Sequence, residues 1–295
     1  MTDFHTTVLK KETITYLQIK PKGNYIDATL GGGGHSIEIL ERGGRVLGLD
    51  VDIDAIEYVK SRIKNQKAGV GNNLTLVKGN FRDIAKLARE NGFDNASGIV
   101  FDFGVSGHQL DTKERGFSFR YDSLLDMRMD QDLKIKALDL LKVLTRGELY
   151  ELFTKYGEES NAYRIASNIV ESRRVKPIET TNELKRVIER SIIRGKHEVN
   201  SVTRVFQALR IVVNDELMSI DAGLHGSLEI LSHGGRIVLI TFHSLEDRIA
   251  KHTFLDWEKH NIGKVITKKP ILPATDEIEE NSRSRSAKLR VFEKY

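Results

Sequence analysis

Tyr25-Ile26-Asp27-Ala28-Thr29-Leu30-Gly31-Gly32-Gly33-Gly34-His35-Ser36 is a short β-prone run that ends in an acid, passes through four consecutive glycines and opens a helical pattern. Glycines at that point let the backbone turn sharply and bring a ligand against main-chain N–H groups with no Cβ in the way. Some residues on, Arg45-Val46-Leu47-Gly48-Leu49-Asp50 reads as a buried strand that again ends in a carboxylate. Strand, glycine turn, helix, strand, acid is the layout of a nucleotide-type site on a doubly wound sheet, the second acid being placed for ribose hydroxyls. A flexible glycine loop that holds nothing is the plain alternative. The flanking strands and the spacing of the acid weigh against it.

The glycine spacing discriminates between ligands. A dinucleotide site asks for Gly-x-Gly-x-x-Gly. Counted from Gly31 the third glycine falls on Ser36, and counted from Gly32 it falls on Ile37, so neither register closes. NAD and FAD are disfavoured. An acid followed by a loose cluster (Asp27, then Gly31, Gly33 and Gly34) suits S-adenosylmethionine better. That molecule has no pyrophosphate, and its ammonium and sulfonium favour acidic or carbonyl-rich walls.

Composition sets the outer bounds. The 295 residues are enough for one large domain or two smaller ones. Hydrophobic residues make up 39% and charged residues 30%, which allows a packed core and excludes wholesale disorder. A net charge of +4 with a pI near 9.0 is a mild lean towards an anionic partner. Cysteine is absent, which rules out disulfides and thiolate metal sites. The nine histidines show no His-Glu-x-x-His pattern, so a catalytic metal has little support. No apolar run is long enough to span a membrane. The start, Met1-Thr2-Asp3-Phe4-His5, carries an early acid and no apolar signal core, so secretion is not expected.

Strand patterns at 25–28, 45–50, 74–78 and 98–103 follow one another at the spacing of βα units. The next, at 235–241, comes about 130 residues later. The tail at 265–295 is expected to supply the last two strands, 288–293 being the clearer. The interval between the fourth and fifth strands reads as helical. Leu138, Leu141 and Leu144 keep helical spacing, and Thr145-Arg146-Gly147-Glu148 is a capping box ahead of Leu149, Leu152, Phe153 and Tyr156. Ala162, Ile165, Ala166, Ile169 and Val170 form an apolar stripe. Arg173, Arg174 and Lys176 complement its C-terminal dipole before Pro177 stops it. Thr180-Thr181-Asn182-Glu183 caps a further helix through Leu184, Val187, Ile188 and Ile192. The expected organisation is a sheet domain over 1–110 and 203–295, with an all-helical subdomain at 111–202 set into it.

In open α/β sheets ligands bind beyond the carboxyl ends of the strands, so the residues after each strand matter most. After the third strand, Phe81 is placed to cover an adenine face or to join the core. After the fourth, Asp102 is placed to hold a ribose, the ammonium of a cofactor or a reacting amine, or else to cap its loop. After the fifth, Ser244 and Asp247 read as a capping box with His243 just ahead of it, either a proton acceptor in the cleft or a structural histidine. Two stretches have the composition to meet RNA. Arg115-Gly116-Phe117-Ser118-Phe119-Arg120-Tyr121 interleaves arginines with aromatics, as a base-stacking segment does, or as a lid packed on the helices does. Arg283-Ser284-Arg285-Ser286-Ala287-Lys288-Leu289-Arg290 is a basic run just before the last strand.

Several of these segments together resemble one family. They are His5-Thr6-Thr7-Val8-Leu9, Gly33-Gly34-His35-Ser36, Asp102-Phe103-Gly104-Val105-Ser106, Arg115-Gly116-Phe117-Ser118-Phe119 and Asp126-Met127-Arg128-Met129-Asp130. With them go Tyr156-Gly157-Glu158-Glu159, Phe206-Gln207-Ala208-Leu209-Arg210 and Phe242-His243-Ser244-Leu245-Glu246-Asp247-Arg248. In order and nearly full length, they are similar to the bacterial small-subunit ribosomal RNA methyltransferase H family, also called MraW. The resemblance implies a cytoplasmic enzyme that methylates the N4 amine of one cytidine in the decoding region of 16S rRNA within the small ribosomal subunit. It implies S-adenosylmethionine as donor and a class I methyltransferase fold, a Rossmann-like, mostly parallel seven-stranded sheet carrying a helical insertion that meets the RNA. Carried over by motif, the donor site is Gly33, Gly34, His35, Asp50, Phe81, Asp102 and Gln109. The family reads Ser-Ser-Pro-Gln where this chain has Ser106-Gly107-His108-Gln109, and losing the proline loosens the loop that places Gln109.

Asp102 and His243 are the catalytic candidates, as acceptors near the amine. Amino-methyltransferases often carry Asp/Asn-Pro-Pro-Tyr after the fourth strand, whereas Asp102-Phe103-Gly104-Val105 stands here. Apart from the resemblance, nothing in the residues distinguishes nitrogen from carbon or oxygen as the acceptor. A binding or assembly factor without turnover, and an oxidoreductase on a related sheet, are the other readings. Oligomeric state is open, a dimer included.

Overall fold

A computed structural model describes residues 7–64, 70–192 and 198–295. His5 and Thr6 of the first motif lie outside the described residues. In chain order the first elements are α1 (Lys10–Leu17), β1 (Asn24–Asp27), α2 (Gly34–Glu41), β2 (Arg45–Asp50), α3 (Ile53–Lys64), β3 (Leu74–Lys78), α4 (Ile84–Glu90) and β4 (Ala96–Asp102). Six helices follow: α5 (Gly107–Asp111), α6 (Ala137–Val143), α7 (Arg146–Gly157), α8 (Ala162–Val175), α9 (Thr181–Arg190) and α10 (Glu198–Asn214). The chain closes with α11 (Glu216–Ile230), β5 (Leu231–Thr241), α12 (Ser244–Lys259), β6 (Gly263–Val265), α13 (Thr275–Glu280) and β7 (Lys288–Lys294). It divides into two compact units, Met1–Ser106 with Leu217–Tyr295, and Gly107–Glu216.

The first unit is a seven-stranded sheet in the order β3-β2-β1-β4-β5-β7-β6. The first five strands in that order pair in parallel, and β7 runs antiparallel between β5 and β6. Successive side chains of a strand point to opposite faces, and both faces are covered. Ile26, Leu47, Ile99 and Ile237 belong to the core that includes Phe254, Trp257 and Phe292. Their neighbours Tyr25, Val46, Val100 and Val238 belong to the core with Leu9, Leu17 and Ile39. Burial on both faces explains why the strands read as continuous apolar runs without alternation. The order reverses at β1, with β2 on one side and β4 on the other, and in open sheets the carboxyl ends of the strands at such a point are where ligands bind.

Several strand ends differ from expectation by a residue or two, and the starts of β5 and β6 differ for identifiable reasons. β5 begins at Leu231, and its register against β4 shifts between Ala96 and Gly98, a bulge that hides the first part of the strand from a simple pattern. β6 begins at Gly263, ahead of the 265–295 tail, because α12 ends at Lys259 and Asn261 takes a left-handed φ of 55° that turns the chain directly into the strand.

The second unit is built on α7, α8, α9 and α10, whose apolar faces bury Leu149, Phe153, Ile165, Ile169, Leu184, Ile188, Val205 and Leu209. Thr145 and Glu148 form the capping box at the start of α7, and Thr180 and Glu183 the one at α9. The expected return to the sheet at 203 falls inside α10, whose continuous helix stays with the helical unit to residue 214. Nor is this unit helical throughout: residues 116–136 run without helix. Side chains satisfy that backbone in place of a ladder. Arg115 donates to the Arg128 and Met129 carbonyls at 3.1 and 2.9 Å, and Arg128 to those of Gln131 and Leu133 at 2.9 and 2.6 Å. Asn214 of α10 donates to the Met127 carbonyl and accepts from the Met129 N–H. Arg128 also makes a two-pronged ion pair with Asp126.

Candidate active site

β1 delivers Asp27 to the carboxyl edge of the sheet, β2 delivers Asp50 and β4 delivers Asp102. The glycine turn is tied to all three strands. The Leu30 N–H donates to the Leu49 carbonyl at 2.8 Å, and the Gly31 N–H to Asp50 Oδ2 at 2.9 Å. Asp50 Oδ1 accepts from the Asp52 N–H at 2.9 Å. On the other side, the Asp102 N–H donates to Thr29 Oγ1 at 2.6 Å. Gly33 caps α2 with a φ of 72°, a left-handed conformation, and a Cβ there would meet Val59. Gly34 faces Thr7 so closely that the Thr7 hydroxyl stands where a Cβ would be. This is how Thr7, near the start of the chain, reaches the glycine turn.

His35 follows in the first turn of α2, 3% exposed, with Nε2 3.7 Å from Asp102 Oδ2. Among the described residues, neither of its ring nitrogens has a hydrogen-bond partner, nor has Asp27 Oδ1. Asp27 Oδ2 accepts from Ser36 Oγ at 2.7 Å. Burial pushes the Asp27 carboxyl up, an effect the nearby His35 opposes. Burial also pushes Asp50 up to about 6, against the hydrogen bonds from Asp52 and Gly31. Buried polar atoms are normally satisfied, so orphaned ones at the carboxyl edge of a sheet mark a place for polar ligand atoms. Three carboxylates and an imidazole on one edge suit a ligand that is cationic at one end and rich in hydroxyls at the other. S-adenosylmethionine has that chemistry, and the donor set fits it.

The remaining sequence candidates separate. Phe81 lies in a 3-10 turn after β3, half-buried, its ring 5.7 Å from Phe101 and 5.6 Å from Phe103, so it packs on the aromatic core. Gln109 is on α5 in the helical unit, 5% exposed; Gly107 and His108 form its first turn where the family has proline. His243, not Ser244, is the N-cap of α12. Its Nδ1 accepts from the Glu246 N–H at 3.4 Å and its Nε2 stands 3.0 Å from Glu246 Oε1, while Glu246 Oε2 accepts from the Phe242 and His243 N–H groups. Nδ1 thus serves the cap, while Nε2 has no hydrogen-bond partner among the described residues. Asp247 is drawn away from the cap by Arg290 of β7 at 2.6 Å and Lys288 at 3.4 Å.

Both basic stretches are sorted by burial. In the first, Arg115 and Phe117 are buried and Phe119 packs edge-on against Phe206 of α10, ring centroids 5.3 Å apart. In the second, Ser284, Ala287 and Arg290 are buried while Arg283 and Arg285 are exposed. Asp27 is the acid of the glycine pattern but was not carried into the donor set, and Thr7 was not singled out at all. Asp27 had a signal, being the acid at the end of the first strand. Thr7 had none, because its contact with Gly34 spans the whole of α1 and β1.

The chain matches the model of a family described as MraW methylase over residues 2–295. It is 46% identical to the ribosomal RNA small subunit methyltransferase H of Carboxydothermus hydrogenoformans, over 98% of this chain and 97% of that protein. Among solved structures it is similar to an rRNA methylase from Streptococcus thermophilus, with 10% identity, 98% and 97% of the two chains covered and a TM-score of 0.47. It is also similar to a candidate methyltransferase from Streptococcus mutans in complex with SAH, with 13% identity, 98% and 99% covered and a TM-score of 0.45.

Proposed function

The chain belongs to the MraW methylase family, and from that membership we propose that it methylates the N4 amine of a cytidine in the decoding region of 16S rRNA. It is an S-adenosylmethionine-dependent rRNA methyltransferase whose substrate is small-subunit rRNA. Its working place is then the cytoplasm, where that subunit is assembled. The observation that carries the reading is the buried edge beside the glycine turn, where Asp27 Oδ1 and both ring nitrogens of His35 lack hydrogen-bond partners among the described residues and His35 stands 3.7 Å from Asp102.

S-adenosylmethionine, when bound, supplies a methyl group already made electrophilic by a sulfonium. The chain's own task is placement and exclusion of water. Gly33 and Gly34 let the turn close against Val59 and Thr7, so that the main chain at the start of α2 would be held in place for the donor, and the Asp50 carboxylate would accept from its ribose hydroxyls. Asp27, Asp102 and His35 present acceptors to the amino-acid end. The cytosine amine is a poor nucleophile because its lone pair is delocalised into the ring. An acceptor for its hydrogens favours the pyramidal form that attacks, and Asp102 at the end of β4 fills that role. His243 caps α12 through Nδ1, and its Nε2, without a hydrogen-bond partner among the described residues, is the second candidate acceptor. The target base leaves its stack to reach the donor.

The test uses small subunits from a strain lacking this activity, purified protein and labelled S-adenosylmethionine, followed by mass spectrometry of the digested rRNA. N4-methylcytidine, or its 2′-O-methylated form, is the expected product. Donor binding with no methyl transfer to subunits or naked 16S rRNA overturns the reading. Asp102→Ala is expected to lower kcat at least about tenfold with rRNA affinity retained; full methylation by that variant removes Asp102 from the proposed role.

A further inference from the structure

We infer that Tyr121 of the helical unit is a stacking platform for an unpaired nucleobase of the RNA substrate, flanked by Lys113 and Arg120 as phosphate contacts. The inference rests on the rRNA reading above and names one surface that serves it.

The segment 115–121 contains three aromatics, and the structure gives them different work. Phe117 is buried, and Phe119 is packed between Phe206 and Lys185, whose Nζ lies 5.9 Å from the ring centroid. Tyr121 alone of the three is exposed, at 38%. Lys113 Nζ stands 5.2 Å from its ring centroid, and Lys113 and Arg120 are exposed as well. A half-covered ring with a cation over it and a second cation beside it has the make-up of single-strand RNA sites, where bases stack on aromatics and cations track the backbone.

The backbone beneath is held rigidly, so the ring is presented in a fixed place. Thr181 Oγ1 donates to the Tyr121 carbonyl at 2.6 Å and accepts from the Ser123 N–H at 3.1 Å. The Thr181 N–H donates to the Ser123 carbonyl, and Leu124 bridges to Thr180. The Arg120 N–H donates to Ser118 Oγ at 3.2 Å, which turns the chain just before the ring. None of these bonds uses the Tyr121 side chain. A surface that only filled space for folding would not pin its backbone so heavily and leave the ring outside.

The experiment compares wild type, Tyr121→Ala, Tyr121→Leu and Tyr121→Phe in steady-state methylation of small subunits, with donor affinity measured separately by calorimetry. Tyr121→Ala is expected to raise KM for the subunit roughly tenfold to a hundredfold, with kcat and donor affinity unchanged. Tyr121→Leu should behave like alanine, because it is apolar but has no π face, and Tyr121→Phe should restore the lost affinity. Arg120→Gln should lower the slope of log affinity against log salt by roughly one contact's worth. An unchanged KM in Tyr121→Ala overturns the proposal, and so does rescue by leucine, which would point to an apolar protein contact. A wild-type protein that neither binds nor methylates subunits defeats the rRNA reading itself, an outcome the variants cannot produce.

Discussion

Gly34 shows how much one missing Cβ decides. Alanine there must displace the Thr7 side chain, and alanine at Gly33 meets Val59 from a left-handed backbone. Each substitution is expected to cost roughly 1–3 kcal/mol of stability, read by denaturant unfolding, and to weaken donor binding in calorimetry. Asp50 gives a prediction in pH. Burial pushes its carboxyl up to about 6, above its ordinary 3.8. The ligand-free fold therefore favours the protonated form, and this group opposes folding as pH rises through about 6. Ribose hydroxyls need the ionised form as acceptor. Donor affinity is expected to fall as pH drops through about 6, and Asp50→Asn should flatten that dependence. The strand-end acids Asp27, Asp50 and Asp102 were legible because each closes an apolar run. The Thr7 contact and the orphaned nitrogens of His35 were not, because they depend on tertiary approach.

At the scale of elements, local codes were read correctly where they were self-contained. The capping boxes at Thr145 and Thr180 each need only a hydroxyl and a glutamate three residues on, and both form. Thr180→Ala is expected to cost about 1 kcal/mol, measurable by thermal unfolding. At α12 two boxes overlap in the sequence, His243 with Glu246 and Ser244 with Asp247. The structure uses the first because Asp247 is held by Arg290 from β7, a partner invisible to a local window. Both side chains of that pair are largely buried, 14% and 8% exposed. Asp247→Ala leaves a buried guanidinium unpartnered and is expected to destabilise by roughly 3–5 kcal/mol in urea titration. Burial raises the Asp247 carboxyl, but Arg290 and Lys288 outweigh it and hold it below the usual range. Its contribution is therefore present above the ordinary carboxylate pKa and is lost as pH falls through the lowered one.

For the whole molecule, a net charge of only +4 sets the electrostatic share of substrate binding. Binding of rRNA is expected to weaken steadily with added salt, with a slope set by a few phosphate contacts, whereas donor binding should change far less. Filter binding at several salt concentrations checks both. The long gap between the β4 and β5 patterns was visible in the sequence, whereas nothing local marks a boundary at residue 203, since α10 carries the same helical pattern on both sides of it. β4 and β5 lie side by side in the sheet, yet the whole of Gly107–Glu216 and α11 are translated between them. At about 5–20 residues per second, the nascent chain spends many seconds with β3-β2-β1-β4 emerged and the outer edge of β4 bare. The inserted helices, with their short-range contacts, close first. Until β5 leaves the ribosome, that bare edge is a template for the wrong strand, so a pause or truncation inside the insertion should yield a product that only a chaperone keeps from aggregating.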